Sequence, residues 1–135
     1  MTVGGDIIEI TYNHPDLGSG VVYPKAGEKS TYFIGGITTA SDESSVDGSG
    51  KPIRKMNRTL GFFESMVAND QNDKQEFEKV IAMSGNPKPA DWTFTIINGA
   101  VYAGSGFPVD VKEADINDAT FKLRIEGGQF KKISG

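Results

Sequence analysis

Trp92-Thr93-Phe94-Thr95-Ile96-Ile97-Asn98-Gly99-Ala100-Val101-Tyr102-Ala103 is the stretch that decides the fold class. Trp92, Phe94 and Ile96 alternate with Thr93, Thr95 and Ile97, the period of two of a strand with one buried face. Asn-Gly between two β-rich runs signals a hairpin, and the type I′ turn it favours requires positive φ at both central residues. Two further alternations follow. Phe107, Val109 and Val111 form one; Ala119, Phe121, Leu123 and Ile125, set against Thr120, Lys122, Arg124 and Glu126, form the other. The last third therefore reads as three or four successive strands. It holds no catalytic-looking cluster and suits sheet and contact.

Working outward, residues 6–12 predict a first strand with Ile8, Ile10 and Tyr12 on one face. Residues 13–20 are dense in turn formers and predict a loop. Val21-Val22-Tyr23 predicts a short strand stopped by Pro24, and residues 29–39 a clear one, bent at Gly35-Gly36. Residues 41–50 differ in kind. Val46 is their one apolar side chain, so the segment cannot pack a core of its own and is expected to be mobile in a free subunit. The charge then reverses at Lys51, Arg54, Lys55 and Arg58, interleaved with Ile53, Met56, Leu60, Phe62 and Phe63. We read 53–63 as a strand pairing with the one that ends near Thr39, and the polar decapeptide as the long tip of that hairpin. The acidic Asp42, Glu43 and Asp47 and the basic Lys51, Arg54, Lys55 and Arg58 read either as an ordinary solvated loop or, if copies of the chain assemble, as partners between copies.

One helix is predicted. Asn72 or Asp73 can cap it, with Gln75 or Glu76 completing a capping box. Phe77, Val80, Ile81 and Ser84 fall at helical spacing, and Phe77, Val80 and Ile81 are the candidate docking residues. Glu76 and Glu78 suit the positive end of the dipole, while Gly85, Pro87 and Pro89 end the helix. The fold class is therefore mainly β: an antiparallel β-barrel or sandwich with one flanking α-helix, in a single domain spanning 1–135. No internal repeat or linker interrupts it.

Composition narrows the function. A chain of 135 residues suits one domain, and a formal charge of −4 argues against a binder that neutralises phosphates. There is no cysteine, hence no disulfide or thiolate metal site. The N-terminus lacks the basic start and apolar run of a signal peptide, and no stretch approaches the roughly 20 apolar residues of a membrane span. Gly48-Ser49-Gly50-Lys51 lacks both the earlier glycine and the following Ser or Thr of a phosphate-binding loop. His14 is the sole histidine, next to Pro15, and is expected to be exposed in a loop. Asp110, Glu113, Asp115 and Asp118 match no calcium-loop or acid–base spacing and read as a solvated acidic edge. Trp92 reads as core more readily than as a sugar platform. No enzyme chemistry, cofactor or metal is implied.

The sequence of features resembles the tail tube proteins of tailed bacteriophages, especially those of contractile tails. The resemblance lies in Gly35-Gly36 before the polar tip, the helix around Phe77 to Met83, the run Trp92 to Gly106, and Ala119 to Gly127. It implies hexameric rings stacked into a hollow tube, with two hairpins per subunit joining neighbours into a continuous inner barrel. It also implies that the helix packs outside that barrel and the long hairpin tip reaches the next ring. Sheath and baseplate proteins would be partners, and DNA would pass through the lumen without specific binding. The location would be the virion tail, assembled in the bacterial cytoplasm. Exposed strand edges have to be managed, and closing them around a ring does so. Mild acidity suits a wall that repels phosphate. Two other readings stand beside it: the inner tube of a related injection or secretion machine, and a carbohydrate-binding β-sandwich module, which would expose its aromatics.

Overall fold

A computed structural model describes residues 4–39, 45–46, 48–53, 56–69 and 76–134. The elements in chain order are β1 (Ile7–His14), β2 (Gly18–Val22), β3 (Thr31–Phe33), β4 (Gly36–Thr39), β5 (Ser45–Val46), β6 (Pro52–Ile53), β7 (Met56–Thr59) and β8 (Gly61–Ala68). Helix α1 (Glu76–Ser84) follows, then β9 (Ala90–Ile96), β10 (Val101–Pro108), β11 (Ala114–Asp115), β12 (Thr120–Gly127) and β13 (Lys131–Ser134). The protein is mainly β, antiparallel throughout, with a single helix among the described residues.

The main sheet runs β2-β1-β9-β10-β12-β8-β3. The chain leaving β2 comes back to its far side. Ala68 N–H donates to Tyr23 O and Lys25 N–H to Met66 O, both at 2.8 Å. The ring of pairings is thereby completed through residues 23–25, and the sheet is rolled around one core.

That core is aromatic. Phe63 of β8 lies 4.7 Å from Phe94, 5.7 Å from Phe130 and 6.2 Å from Trp92, centroid to centroid. All four rings are buried, with Ile10, Leu123, Ile125, Val67 and Phe121 around them. Trp92 is fully enclosed, and its indole N–H donates to Gly106 O at 3.1 Å, so burial leaves no polar atom of the ring unmet. The alternation in β12 is as the sequence predicts, Phe121, Leu123 and Ile125 inward; Thr120 is buried as well.

Five local features depart from the sequence reading, each for a physical reason. In β1 the pairing with β9 shifts register between Ile7 and Glu9, so Ile7 and Ile10 both turn inward while Ile8 is left half-exposed. The Asn-Gly turn is a three-residue loop. Gly99 N–H bonds Ile96 O, Ile96 N–H bonds Ala100 O, and Gly99 takes φ +94 while Asn98 stays at negative φ. Third, the runs expected as separate strands around Val101 and Phe107 are one strand, β10. Its first half pairs with β13 and its second with β12, and at that fork a Cβ on Gly127 would collide with the Ser105 carbonyl.

The fourth is His14, which is buried. β1 runs through it and β2 begins at Gly18, so the loop is only residues 15–17. His14 Nδ1 accepts the backbone N–H of Asp16 at 3.0 Å and of Leu17 at 3.2 Å, and Nε2 donates to Lys88 O at 3.0 Å. The imidazole ties the β1–β2 turn to the segment that leaves the helix, a role in which solvent exposure would be a loss.

The helix stripe is also rotated from the expected one. Glu76, Val80 and Met83 are buried, and Phe77 is half-buried with its ring 5.1 Å from Phe121. Ile81 is 48% exposed, and Ser84 is exposed. Met83 takes the inward place assigned to Ile81: the buried stripe runs Glu76, Val80, Met83, spaced by four and then three residues along one helix face. The capping candidates Asn72, Asp73 and Gln75 lie outside the described residues. Phe63→Ala should therefore cost about 3–5 kcal/mol in denaturant unfolding, and Ile81→Ala less than about 1 kcal/mol. Comparable losses at the two sites would contradict this placement.

Candidate functional site

The most conspicuous unsatisfied surface is a projecting arm. β3 ends at Phe33, Gly35 and Gly36 take φ +85 and +114, and the chain leaves the main sheet as β4. No side chain fits at Gly35, whose Cβ would lie 2.7 Å from Gly61 N and 2.9 Å from Gly128 O. The base is fastened where three segments cross: Gly61 N–H donates to Gly128 O and Phe130 N–H to Ile34 O, both at 2.8 Å.

Beyond this hinge β4 pairs, among the described residues, only with β7, in the register Gly36↔Thr59, Ile37↔Arg58, Thr38↔Asn57 and Thr39↔Met56. The strand ending near Thr39 pairs with only part of the expected partner: the run expected as one strand over 53–63 is divided among β6, β7 and β8, and β8 pairs with β3 and β12 in the main sheet, while the bend sits at the predicted glycines. Directly opposed residues share a face. One face carries Ile37, Met56 and Arg58; the other carries Thr38, Asn57 and Thr59, with the Thr38 and Thr59 hydroxyls 3.0 Å apart. Ile37 and Met56 are about three-fifths exposed, as is Leu60 at the base. Further out, β5 and β6 make a two-residue ladder, with Val46 and Ile53 exposed and a turn through Gly48, Ser49 and Gly50. A two-stranded ribbon with both faces in water is marginal alone. A run of exposed isoleucine, methionine and leucine along it is the mark of a contact surface.

A groove of about 410 Å³ opens at the arm's base, lined by Gly36, Ile37, Arg58, Leu60 and Gln129 among others. Sequence reasoning missed it because Gly128-Gln129 is remote in the chain and carries no pattern. Of the residues proposed for contact between copies, Arg58 lies on the apolar face of the arm and Lys51 at its tip, both exposed. Asp42, Glu43, Asp47, Arg54 and Lys55 lie outside the described residues. Asp110, Glu113, Asp115 and Asp118 are exposed, and among the described residues no cluster of His, Asp or Glu is arranged to hold a metal. No helix of the described residues is long and apolar enough to cross a membrane.

A charged ladder, also unforeseen, covers the outer face of β8 and β12. Lys122 Nζ lies 2.6 Å from Glu64 Oε1; Arg124 donates from Nη1 to Glu64 Oε2 at 2.9 Å and from Nε to Glu126 Oε1 at 3.0 Å. The Arg124 guanidinium also sits 4.2 Å from the centroid of the Phe62 ring. The hydrogen bond from Lys122, with that from Arg124, holds the Glu64 carboxyl below the usual glutamate range, against the opposing effect of partial burial. Glu126, then Glu64, holds the Arg124 guanidinium charged.

No family model matches the chain, and no curated protein matches it in sequence. Among solved structures, the tube-terminating cap of the anti-feeding prophage, determined by cryo-electron microscopy, shares its fold. The TM-score is 0.55 at 12% identity, over 100% of this chain and 95% of the cap chain. At such identity the likeness is one of fold, and it runs end to end.

The ladder makes a signed pH prediction. Because Glu64 has a lowered pKa in the folded state, its contribution is fully present above the ordinary glutamate value and is lost as pH falls through the folded one. Glu64→Gln should lower the melting temperature near neutrality, with the gap to the unaltered protein closing in strong acid. A gap constant across that range would show that Glu64 stabilises without its charge.

Proposed function

We propose that this chain is a structural subunit of the tube of a contractile tail or injection machine, building or capping rings around a hollow conduit, and that it performs no catalysis. The observation that carries the reading is the end-to-end fold likeness to a tube-terminating cap. The arm supports it: a ribbon with exposed apolar residues on one face needs neighbours, and identical copies arranged in a ring supply them. The finer reading is a bacteriophage tail tube subunit in stacked hexameric rings, with sheath and baseplate proteins as partners. DNA would pass without specific binding, and the subunit would sit in the virion tail after assembly in the host cytoplasm. A terminal ring that closes such a tube is the nearest variant.

A sugar-binding module is less well supported. Trp92, Phe63, Phe94 and Phe130 are buried among one another, and none of them is presented to solvent. The net charge of −4 agrees with a conduit that does not grip phosphate.

Purified protein should form rings or tubes in negative-stain electron microscopy at high concentration. Stacked tubes select the tube subunit and lone rings the cap. A strictly monomeric mass across a wide concentration range in sedimentation would contradict both. Ile37→Asp combined with Met56→Asp should abolish the assemblies while shifting the subunit's unfolding free energy by no more than about 1 kcal/mol, as expected for exposed positions.

A further inference from the structure

Asn98 is the one asparagine in the chain followed by glycine. It sits at the tip of the β9–β10 hairpin, where residues 97–99 are all exposed. A Cβ placed on Gly99 would meet nothing within 4 Å, so solvent reaches the Asn98–Gly99 peptide without obstruction. Asn98 Oδ1 accepts the backbone N–H of Ala100 at 3.0 Å. That bond fixes the side-chain amide beside its own backbone and draws electron density from Cγ, as a hydrogen-bond donor does at any carbonyl about to be attacked.

We propose that Asn98 is a site of spontaneous deamidation that changes both the charge and the backbone of this turn. The backbone nitrogen of Gly99 bonds to Asn98 Cγ, its proton passes to a solvent base, and the Cγ–Nδ2 bond breaks as Nδ2 takes a proton from solvent and leaves as ammonia. The product is a five-membered succinimide. Water then opens it at one of two carbons. Cleavage of the nitrogen–Cγ bond gives aspartate, and cleavage of the bond to the main-chain carbonyl carbon gives isoaspartate, whose main chain is longer by one methylene. Glycine permits the reaction because it brings no side chain against the closing ring and can leave φ +94 at little cost.

The same turn also sets the rate. Gly99 N–H donates to Ile96 O at 2.9 Å, which engages the proton that must be lost. Opening of this exposed hairpin tip, a local event that needs no global unfolding, frees the nucleophile. Either product adds one negative charge to a chain that already carries −4. Isoaspartate additionally takes Cγ into the main chain, so Ala100 N–H loses its present acceptor and the pairing at Val101↔Thr95 is strained.

The test is peptide mapping by mass spectrometry of the intact folded chain after incubation in mildly alkaline buffer. The peptide containing Asn98 should gain the mass of NH exchanged for O and resolve into aspartate and isoaspartate forms, ahead of peptides holding Asn13, Asn57, Asn86 or Asn117. Asn98→Gln, which would have to close a six-membered ring, should lose the modification. An unchanged Asn98 peptide in the folded chain, while the urea-unfolded chain converts in the same buffer, would overturn the proposal by showing that the turn protects the site. So would equal conversion at all asparagines.

Discussion

The packing of Phe63 against Phe94, Phe130 and Trp92 is what the rest of the structure leans on. These rings come from β8, β9 and the segment before β13, which are far apart in sequence, and a single thin sheet has no second layer to bury them. Rolling the sheet solves that problem: the return of residues 23–25 to β8 encloses the rings and removes two edges at once. Gly104 follows from the same demand, because a Cβ there would press into the Phe130 ring.

The same economy leaves the arm without support. The ribbon of β4 and β7 lies outside the main sheet and leaves it at two glycines of positive φ, the first with no room for a side chain. Two glycines turn the ribbon away from the sheet, and Ile37 and Met56 stay exposed on its apolar face. The fold likeness to a tube-terminating cap runs the length of the chain, arm included. The charged ladder on β8 and β12 has the opposite character: its ions satisfy one another and leave little for a partner to claim.

The strands and the class of fold were legible because period-two alternation survives in Trp92 to Ile96 and in Phe121 to Ile125. The hinge was legible because adjacent glycines in a strand pattern have few other uses. Register was not. The shift at Ile7–Glu9 turns Ile8 outward, and nothing in an isoleucine pair announces it. His14 was misread as exposed because its partner, the Lys88 carbonyl, is a backbone atom 74 residues away that no motif encodes. Ile81 and Met83 exchanged places because periodicity finds a stripe and leaves its rotation to whatever the helix packs against. Asp42, Glu43, Asp47, Arg54 and Lys55 fall outside the described residues, so their pairing rests on the sequence pattern.

The rolled sheet is self-sufficient and the arm is not. Hydrogen exchange followed residue by residue, in dilute subunits and in assembled particles, tests it most directly. Amides of β8, β9 and β12 should be strongly protected in both states, with β4 and β7 amides exchanging quickly in the free subunit and becoming protected on assembly. Arm amides as protected in the dilute subunit as those of the main sheet would contradict it.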